Sequence, residues 1–200
     1  RTEQLSPSAP MVLGSQGPGR VGRRRFFLTR AALGRLVVVI GYAARAMPDL
    51  SGFYARVSPY IAHRPGSVLG ARTHAWVVRR TGGRIGGRAF GAEILVLRTT
   101  GHKSGEPRDS PMFFLRHGDG FAVVASNAAS KRTPAWWFNL QAHPAVEALV
   151  RGVSYPVTAR AASAEEVATL WPQFVKLYSG YDHYKSIATR ELPVVILEPR

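Results

Sequence analysis

The 200-residue sequence has no cysteine, which removes disulfides, thiolate metal ligands and a cysteine nucleophile. Nothing in it calls for an oxidising compartment. It has no lysine before Lys103, and residues 1–90 hold only two acids, Glu3 and Asp49, against fifteen arginines. That part carries a net +13, whereas residues 91–200, with twelve basic residues against ten acids, carry only +2. So lopsided a charge suits an anionic partner (a membrane surface, nucleic acid or a polyanionic ligand tail) or else a set of solvated arginines. No helix-turn-helix or RNA-binding aromatic signature accompanies the arginines, so nucleic acid is not an expected partner. Long apolar runs are lacking too. Residues 36–44 are apolar but lie between Arg35 and Arg45, and a spanning helix needs about 20 such residues. The glycine signatures of nucleotide folds are missing. TGGRIGG is too irregular for a dinucleotide fingerprint, and GHKSG lacks the upstream glycine of a nucleotide-hydrolase loop. The six histidines have no ligand spacing, and no Ser-His-Asp set or carboxylate pair stands out.

What remains is enough chain for one domain and an appendage. Residues 1–22, rich in Ser, Pro, Gly and Gln, read as disordered, and the chain opens on Arg1 rather than Met, as a fragment or processed chain would. Arg23, Arg24 and Arg25 precede the short apolar stretch. Two readings stay open for it: an interfacial helix with its arginines at lipid headgroups, or a helix packed on the domain. Residues 47–66 read as a linker. The expected division is a basic, partly disordered extension over residues 1–65 with one apolar helix, and a folded domain over residues 66–200. Within that domain residues 74–80 predict a helix ended by glycines. EILVLRT, SPMFFLR, FAVVAS, residues 145–150, residues 153–159 and VVILE predict six strands. One helix is expected from Pro134 through WWFNLQAH, and another from a Ser163–Glu166 capping box to about Tyr178. Six closely spaced strands with few helices between them predict a mainly β, α+β architecture: an antiparallel barrel with peripheral helices.

Gly101, Lys103, Ser104, Gly105 and Arg108 fall within eight residues between two strands. Close backbone approach plus cationic and hydroxyl donors suits a phosphate, though a plain hairpin turn with a solvated lysine has the same composition. Trp136 and Trp137 sit about 100° apart on their helix, so one indole can face the core and the other a ligand. Asn127 and Asn139 add amide chemistry. A phosphate grip followed by an aromatic platform suggests a phosphorylated planar cofactor. Tyr178, Tyr181 and Tyr184, at spacing three, share a helix face and suit packing as well as a substrate wall.

The run TTGHKSGEPRDSP, then VVASN, PAWWFNLQAHPAV and WPQFVKLYSGYDHYKSIATRELPVVILEP, resembles the deazaflavin-dependent nitroreductase family, which uses coenzyme F420, over residues 74–199. The resemblance implies a split β-barrel related to FMN-binding flavin reductases. It implies that His102, Lys103 and Ser104 hold the cofactor's phosphate and the start of its oligoglutamate tail. In the next strand, Arg108 would serve the anionic part, followed by Asp109 and Ser110. Pro111 and Met112 would lie along the deazaflavin, with Phe113 beyond them. Val124, Ala125, Ser126 and Asn127 match the strand end over which the ring sits. Ala135, Trp136, Trp137, Phe138 and Asn139 match a helix whose first tryptophan borders the ring, leaving Trp137 to the core. Tyr181 matches a catalytic, cofactor- or substrate-side tyrosine, with Tyr178 and Tyr184 lining the open face beside it. His102 stands where many relatives carry arginine, Asn127 where some carry lysine, and Phe113 where some nitroreducing members carry tyrosine. The implied reaction is hydride transfer from C5 of reduced F420 to an activated double bond, quinone or nitro compound, with a proton from solvent or a tyrosine. F420 is the expected cofactor, FMN the weaker candidate, and no metal is expected. The alternatives are an FMN- or haem-binding split barrel and a non-enzymatic binder of anionic surfaces. The expected partners are a small-molecule electron acceptor and an anionic membrane surface under residues 23–47. That would place the protein in the cytoplasm, peripheral on the inner face of the cell membrane.

Overall fold

The computed structural model describes Arg56 and residues 65–200. The apolar segment within residues 23–47 and the rest of the expected extension, Arg56 and Pro65 apart, lie outside the described residues. The first helix, α1 (Pro65–Arg80), starts well before residue 74. Pro65 is tolerated in a first turn, while Gly66 and Gly70 thin the apolar pattern by which a helix is recognised. Ala75 and Val78 on α1 are buried with Val96 and Leu149, which seats the helix on the barrel's outer wall. The glycine run ends it as expected, with the Gly83 N–H donating to the Val78 carbonyl at 2.8 Å.

Seven strands follow: β1 (Arg88–Ala89), β2 (Ala92–Thr100), β3 (Pro107–His117), β4 (Gly120–Val124), β5 (Ala145–Val150), β6 (Val153–Ala161) and β7 (Val194–Pro199). Every pairing is antiparallel. The ladder β2–β3–β4–β7–β6–β5 closes because β5 also pairs with β2, from Leu95↔Val150 to Arg98↔Glu147. The six expected strands therefore form the closed split barrel, and β1 is a two-residue spur on β2.

Alternation along each strand sorts side chains to two faces. Leu95, Leu97, Phe114, Phe121, Val123 and Leu197 belong to the cluster inside the barrel. Their neighbours Ala122, Val124 and Ile196 join a second cluster with Leu170 and Phe174 of α3 (Ala164–Leu177) and the tyrosines of α4 (Gly180–Ile187). The expected capping box starts α3. The Glu166 N–H donates to Ser163 Oγ at 3.2 Å, and the Ser163 N–H donates to the Glu166 carboxylate at 2.7 Å. Helix α2 (Ala135–Ala142) packs Leu140 and, in part, Trp136 and Trp137 against the interior cluster.

Candidate active site

Residues 107–113 of β3 pair with β2 along one edge, from Thr100↔Pro107 to Ile94↔Phe113. On the other edge β4 meets only Phe114 to His117. Among the described residues no strand takes the second edge of residues 107–113. Proline has no N–H to give a ladder and is confined to such edges, which accounts for Pro107 and Pro111. The open edge spans six residue steps, about 20 Å at about 3.3 Å per residue. The β2–β3 turn closes one end of it. The chain leaving β4 turns at the other.

The first turn, residues 101–106, is tightly bonded. The Gly101 N–H donates to the Glu106 carbonyl at 2.9 Å, and the Ser104 and Gly105 N–H groups donate to the Gly101 carbonyl at 3.1 and 2.8 Å. Gly105 has φ +67°, where a side chain would be strained. One carboxamide ties this turn to α2. Asn139 Oδ1 accepts from the His102 backbone N–H at 3.0 Å and from His102 Nδ1 at 2.9 Å, while Asn139 Nδ2 donates to Thr99 Oγ1 at 2.9 Å. Asn139 is only 3% exposed, and all of its bonds go to the turn and to Thr99. Lys103 and Arg108 are exposed and form no ion pair among the described residues. Arg108 Nη2 donates to Ser104 Oγ at 3.3 Å, which gathers the hydroxyl and the guanidinium. Unneutralised cations beside bonded backbone suit phosphate and carboxylate groups.

Asp109 has a different place. Arg98 Nε and Nη2 donate to its two oxygens at 2.8 and 2.9 Å, and Arg79 Nε lies 3.5 Å away. This bidentate pair raises the Arg98 pKa. Asp109 thus neutralises two wall arginines. Ser110, Pro111 and Met112 are half-buried along the open edge, with Met112 packed toward the barrel interior. Phe113 stacks on Tyr178 with centroids 5.1 Å apart.

At the far end the backbone takes an unusual path. Ser126 is right-handed helical (φ −71°, ψ −40°), and Asn127, Ala128 and Ala129 follow at φ 44°, 50° and 55°. Left-handed helical geometry costs a non-glycine residue about 1–2 kcal/mol, and strained residues concentrate at functional sites. A right-handed residue followed by a left-handed one converges three successive N–H groups, here those of Ser126, Asn127 and Ala128. No hydrogen bond among the described residues takes them up. The Asn127 side chain turns back, Nδ2 donating to the Arg132 carbonyl at 2.7 Å and to Ser130 Oγ at 3.2 Å. Val124 and Ala125 are buried, so only backbone is presented there. Arg190, which sequence reasoning missed, reaches this turn from beyond α4. It donates to the carbonyls of Ala125, Ser126 and Ser130 at 3.1, 2.6 and 2.9 Å. Nothing local in TRELP signals that role.

The aromatic residues separate less cleanly than expected. Trp136 and Trp137 are both half-buried against the interior cluster, and the exposed ring of α2 is Phe138, 6.1 Å from the His102 imidazole. Ala135, beside them, is exposed. Tyr178, Tyr181 and Tyr184 do not line an open face. They are 3–4% exposed within the outer cluster, with Tyr181 edge-on to Trp171, Phe174, Tyr178 and Tyr184. Burial, and then Tyr184, push the Tyr181 hydroxyl pKa well above its ordinary value. A cavity of about 440 Å³ lies elsewhere, on the β2–β5–β6 wall. Arg98, Thr100, Pro107, Glu147, Ser154 and Arg200 help line it. It touches only the base of the cationic turn, because an open edge is a trough rather than an enclosure.

A closed antiparallel barrel with one open strand edge, a cationic turn at one end and unused backbone donors at the other is a split barrel whose open edge suits an anionic ligand. The family model for F420H(2)-dependent quinone reductase matches residues 70–199, and the chain belongs to that family. An F420H(2)-dependent quinone reductase of Mycobacterium tuberculosis (strain ATCC 25618 / H37Rv) is 39% identical over 134 residues, covering 64% of this chain and 89% of that protein. The solved structure of an F420-H2 dependent reductase is 34% identical, covering 52% of this chain and 93% of that one, with a TM-score of 0.49. Another, described as a domain-swapped dimer, is 28% identical, covering 67% and 99%, with a TM-score of 0.50. The protein is thus an oxidoreductase whose cofactor is coenzyme F420, and the FMN, haem and non-enzymatic alternatives fall away. The residues present fit that cofactor in their chemistry: Lys103 and Arg108, without acid partners among the described residues, suit phosphate and carboxylates, and the N–H groups after β4 suit a polar ring edge.

Proposed function

We propose that this chain reduces quinones with F420H2 bound along the open edge of β3. The observation that carries the reading is the pairing of Lys103 and Arg108, free of acid partners, with the N–H groups of residues 126–128 at the other end of that edge. Lys103, Arg108 and Ser104 bind the phosphate and carboxylates, each charge-assisted bond contributing about 1.5–3 kcal/mol. The turn after β4 orients the polar edge of the ring, and the barrel wall keeps water from one ring face. Bound F420H2 supplies a hydride from C5. The protein's share is positioning. Tyr181 is a poor proton donor, being buried with its pKa raised, so the proton comes from solvent. Phe113, backed by the buried Tyr178 ring, offers an apolar surface that suits a quinone better than a nitro group, so nitro compounds are the poorer acceptors. Titration of F420 against FMN, followed by a screen of quinones and nitroimidazoles, tests this. Tight F420 binding with quinone turnover is expected; preference for FMN would defeat it.

We also propose that the chain divides into a basic extension, residues 1–65, and a barrel domain, residues 66–200. It would work in the cytoplasm against the inner face of the cell membrane. On α1, Val68, Leu69 and Trp76 are 52, 55 and 57% exposed, interleaved with exposed Arg72 and Arg80. Arginines gain about 1 kcal/mol each near an anionic surface, and residues 23–47 would add more. The full chain should float with anionic liposomes at low salt, and Trp76→Ser with Arg72→Glu should weaken this. Absence of flotation at low salt would count against the membrane reading.

A further inference from the structure

The strained turn after β4 carries the donors assigned above to the ring, and of its three left-handed residues only Asn127 is of a type that adopts that region readily. Asn127, Ala128 and Ala129 hold left-handed φ without a glycine among them. Two 3₁₀-type bonds, Ala129 N–H to Ser126 O at 2.9 Å and Ser130 N–H to Asn127 O at 3.1 Å, close the turn, and both stay within it. Apart from the Ala125 N–H to Pro193 O bond at 2.8 Å and the burial of Ala129 in the outer cluster, support from distant parts of the chain converges on one side chain. Arg190 spreads its guanidinium over the Ala125, Ser126 and Ser130 carbonyls and its neighbour Glu191 O at 2.8 Å, and among the described residues no carboxylate pairs with it. A planar fork with five donors can hold three carbonyls of one turn at fixed angles, as an ammonium cannot. The carbonyls it engages flank residues 127–129, so its grip sets the direction in which the intervening N–H groups point.

We infer that Arg190 is a positioning residue of the cofactor site: it clamps residues 125–130 in the left-handed turn that directs the Ser126, Asn127 and Ala128 N–H groups toward the open end of the β3 edge. The polar group received there is a heterocycle carbonyl or its anion, the class of acceptor that converging backbone N–H groups bind. This rests on the reading that F420 lies along that edge.

The test uses the full chain and Arg190→Lys, which keeps the charge and loses the fork. In the ligand-free chain, exchange of the Ala129 and Ser130 amides, the two that the turn holds in hydrogen bonds, should speed at least tenfold while the strand amides of β2 and β7 hold. F420 affinity should fall about tenfold, the bound deazaflavin absorbance band should shift, and affinity for inorganic pyrophosphate, read at the cationic turn, should stay unchanged. Adding Ala128→Gly, which removes the cost of left-handed φ, should recover part of the loss. If Arg190→Lys does not fold, the same second substitution should restore folding; failure to do so would overturn the clamp. Unchanged exchange of the Ala129 and Ser130 amides, or unchanged F420 affinity in a folded Arg190→Lys, would also overturn it. A wild-type chain that binds no F420 would defeat the cofactor placement instead, leaving exchange in the empty chain to decide the clamp.

Discussion

The two ends of the open β3 edge solve the same problem in opposite ways. The β2–β3 turn presents side chains: Lys103, Ser104 and Arg108 stand on a backbone held by its own bonds and by one buried carboxamide. The turn after β4 presents backbone: its side chains fold back or are too small to reach, and its N–H groups are aimed by a guanidinium more than 60 residues away in sequence. Charge delivered by side chains suits the flexible, anionic part of a ligand, where reach matters more than angle. Backbone donors suit a rigid ring, where angle decides whether the reacting carbon meets its acceptor.

The largest effect should come from breaking the side-chain end alone. Lys103→Ala and Arg108→Ala should each lower F420 affinity at least tenfold, and together by about a hundredfold if they act independently. The absorbance of whatever complex remains should not change, since the backbone end is untouched; fluorescence titration and difference spectra check both. Asn139→Ala sharpens the comparison by removing support without removing charge. It takes the acceptor from the His102 N–H and one of two partners from the buried Thr99 hydroxyl, and each lost bond costs about 0.5–1.5 kcal/mol. A lower Tm together with a several-fold loss of affinity is expected, where Lys103→Ala should leave Tm alone.

A region remote from both turns supplies the pH control. Glu166 accepts from Arg160 at 2.7 Å, and from the Ser163 N–H, which hold its carboxyl down to about 2 from 4.5. Because the folded value lies below the unfolded one, its contribution is present above about pH 4.5 and fades as pH falls toward 2. Tm should therefore drop across that window, less so in Arg160→Gln, with no difference between the two proteins in F420 affinity at neutral pH. The smallest effect should be that of Tyr181→Phe, which removes a hydroxyl that the proposed mechanism does not use. Quinone turnover within about twofold of wild type is expected, and a loss of a hundredfold would restore the tyrosine as proton donor.

Much of this was legible in the sequence because it is local. Branched apolar runs bounded by turn residues marked the six strands, Ser163 and Glu166 marked the start of α3, and the clustered cations marked the turn between β2 and β3. The closing pair β2–β5 was not legible, since strand order depends on contacts 50 residues apart. Asn139 reads as a ligand group by its chemistry, and only its burial assigns it to support. Tyr181 and Tyr184 lie on α4, but Tyr178 stands before it in extended backbone, so spacing three does not put all three on one helix face, and their rings meet in the core. Gly180 bears on this: a Cβ there would lie 2.2 Å from the Tyr178 ring, so the ring is folded over the start of α4. Arg190 was beyond reach for the same reason as the barrel closure.

Hydrogen exchange of the full chain with and without F420 shows directly whether the cofactor lies along the open β3 edge. Protection is expected at both ends of that edge together, residues 101–108 and residues 126–130, with no change along residues 153–156 of β6. Protection centred instead on the cavity by Glu147, Ser154 and Arg200, with the turn after β4 exchanging as before, would contradict it.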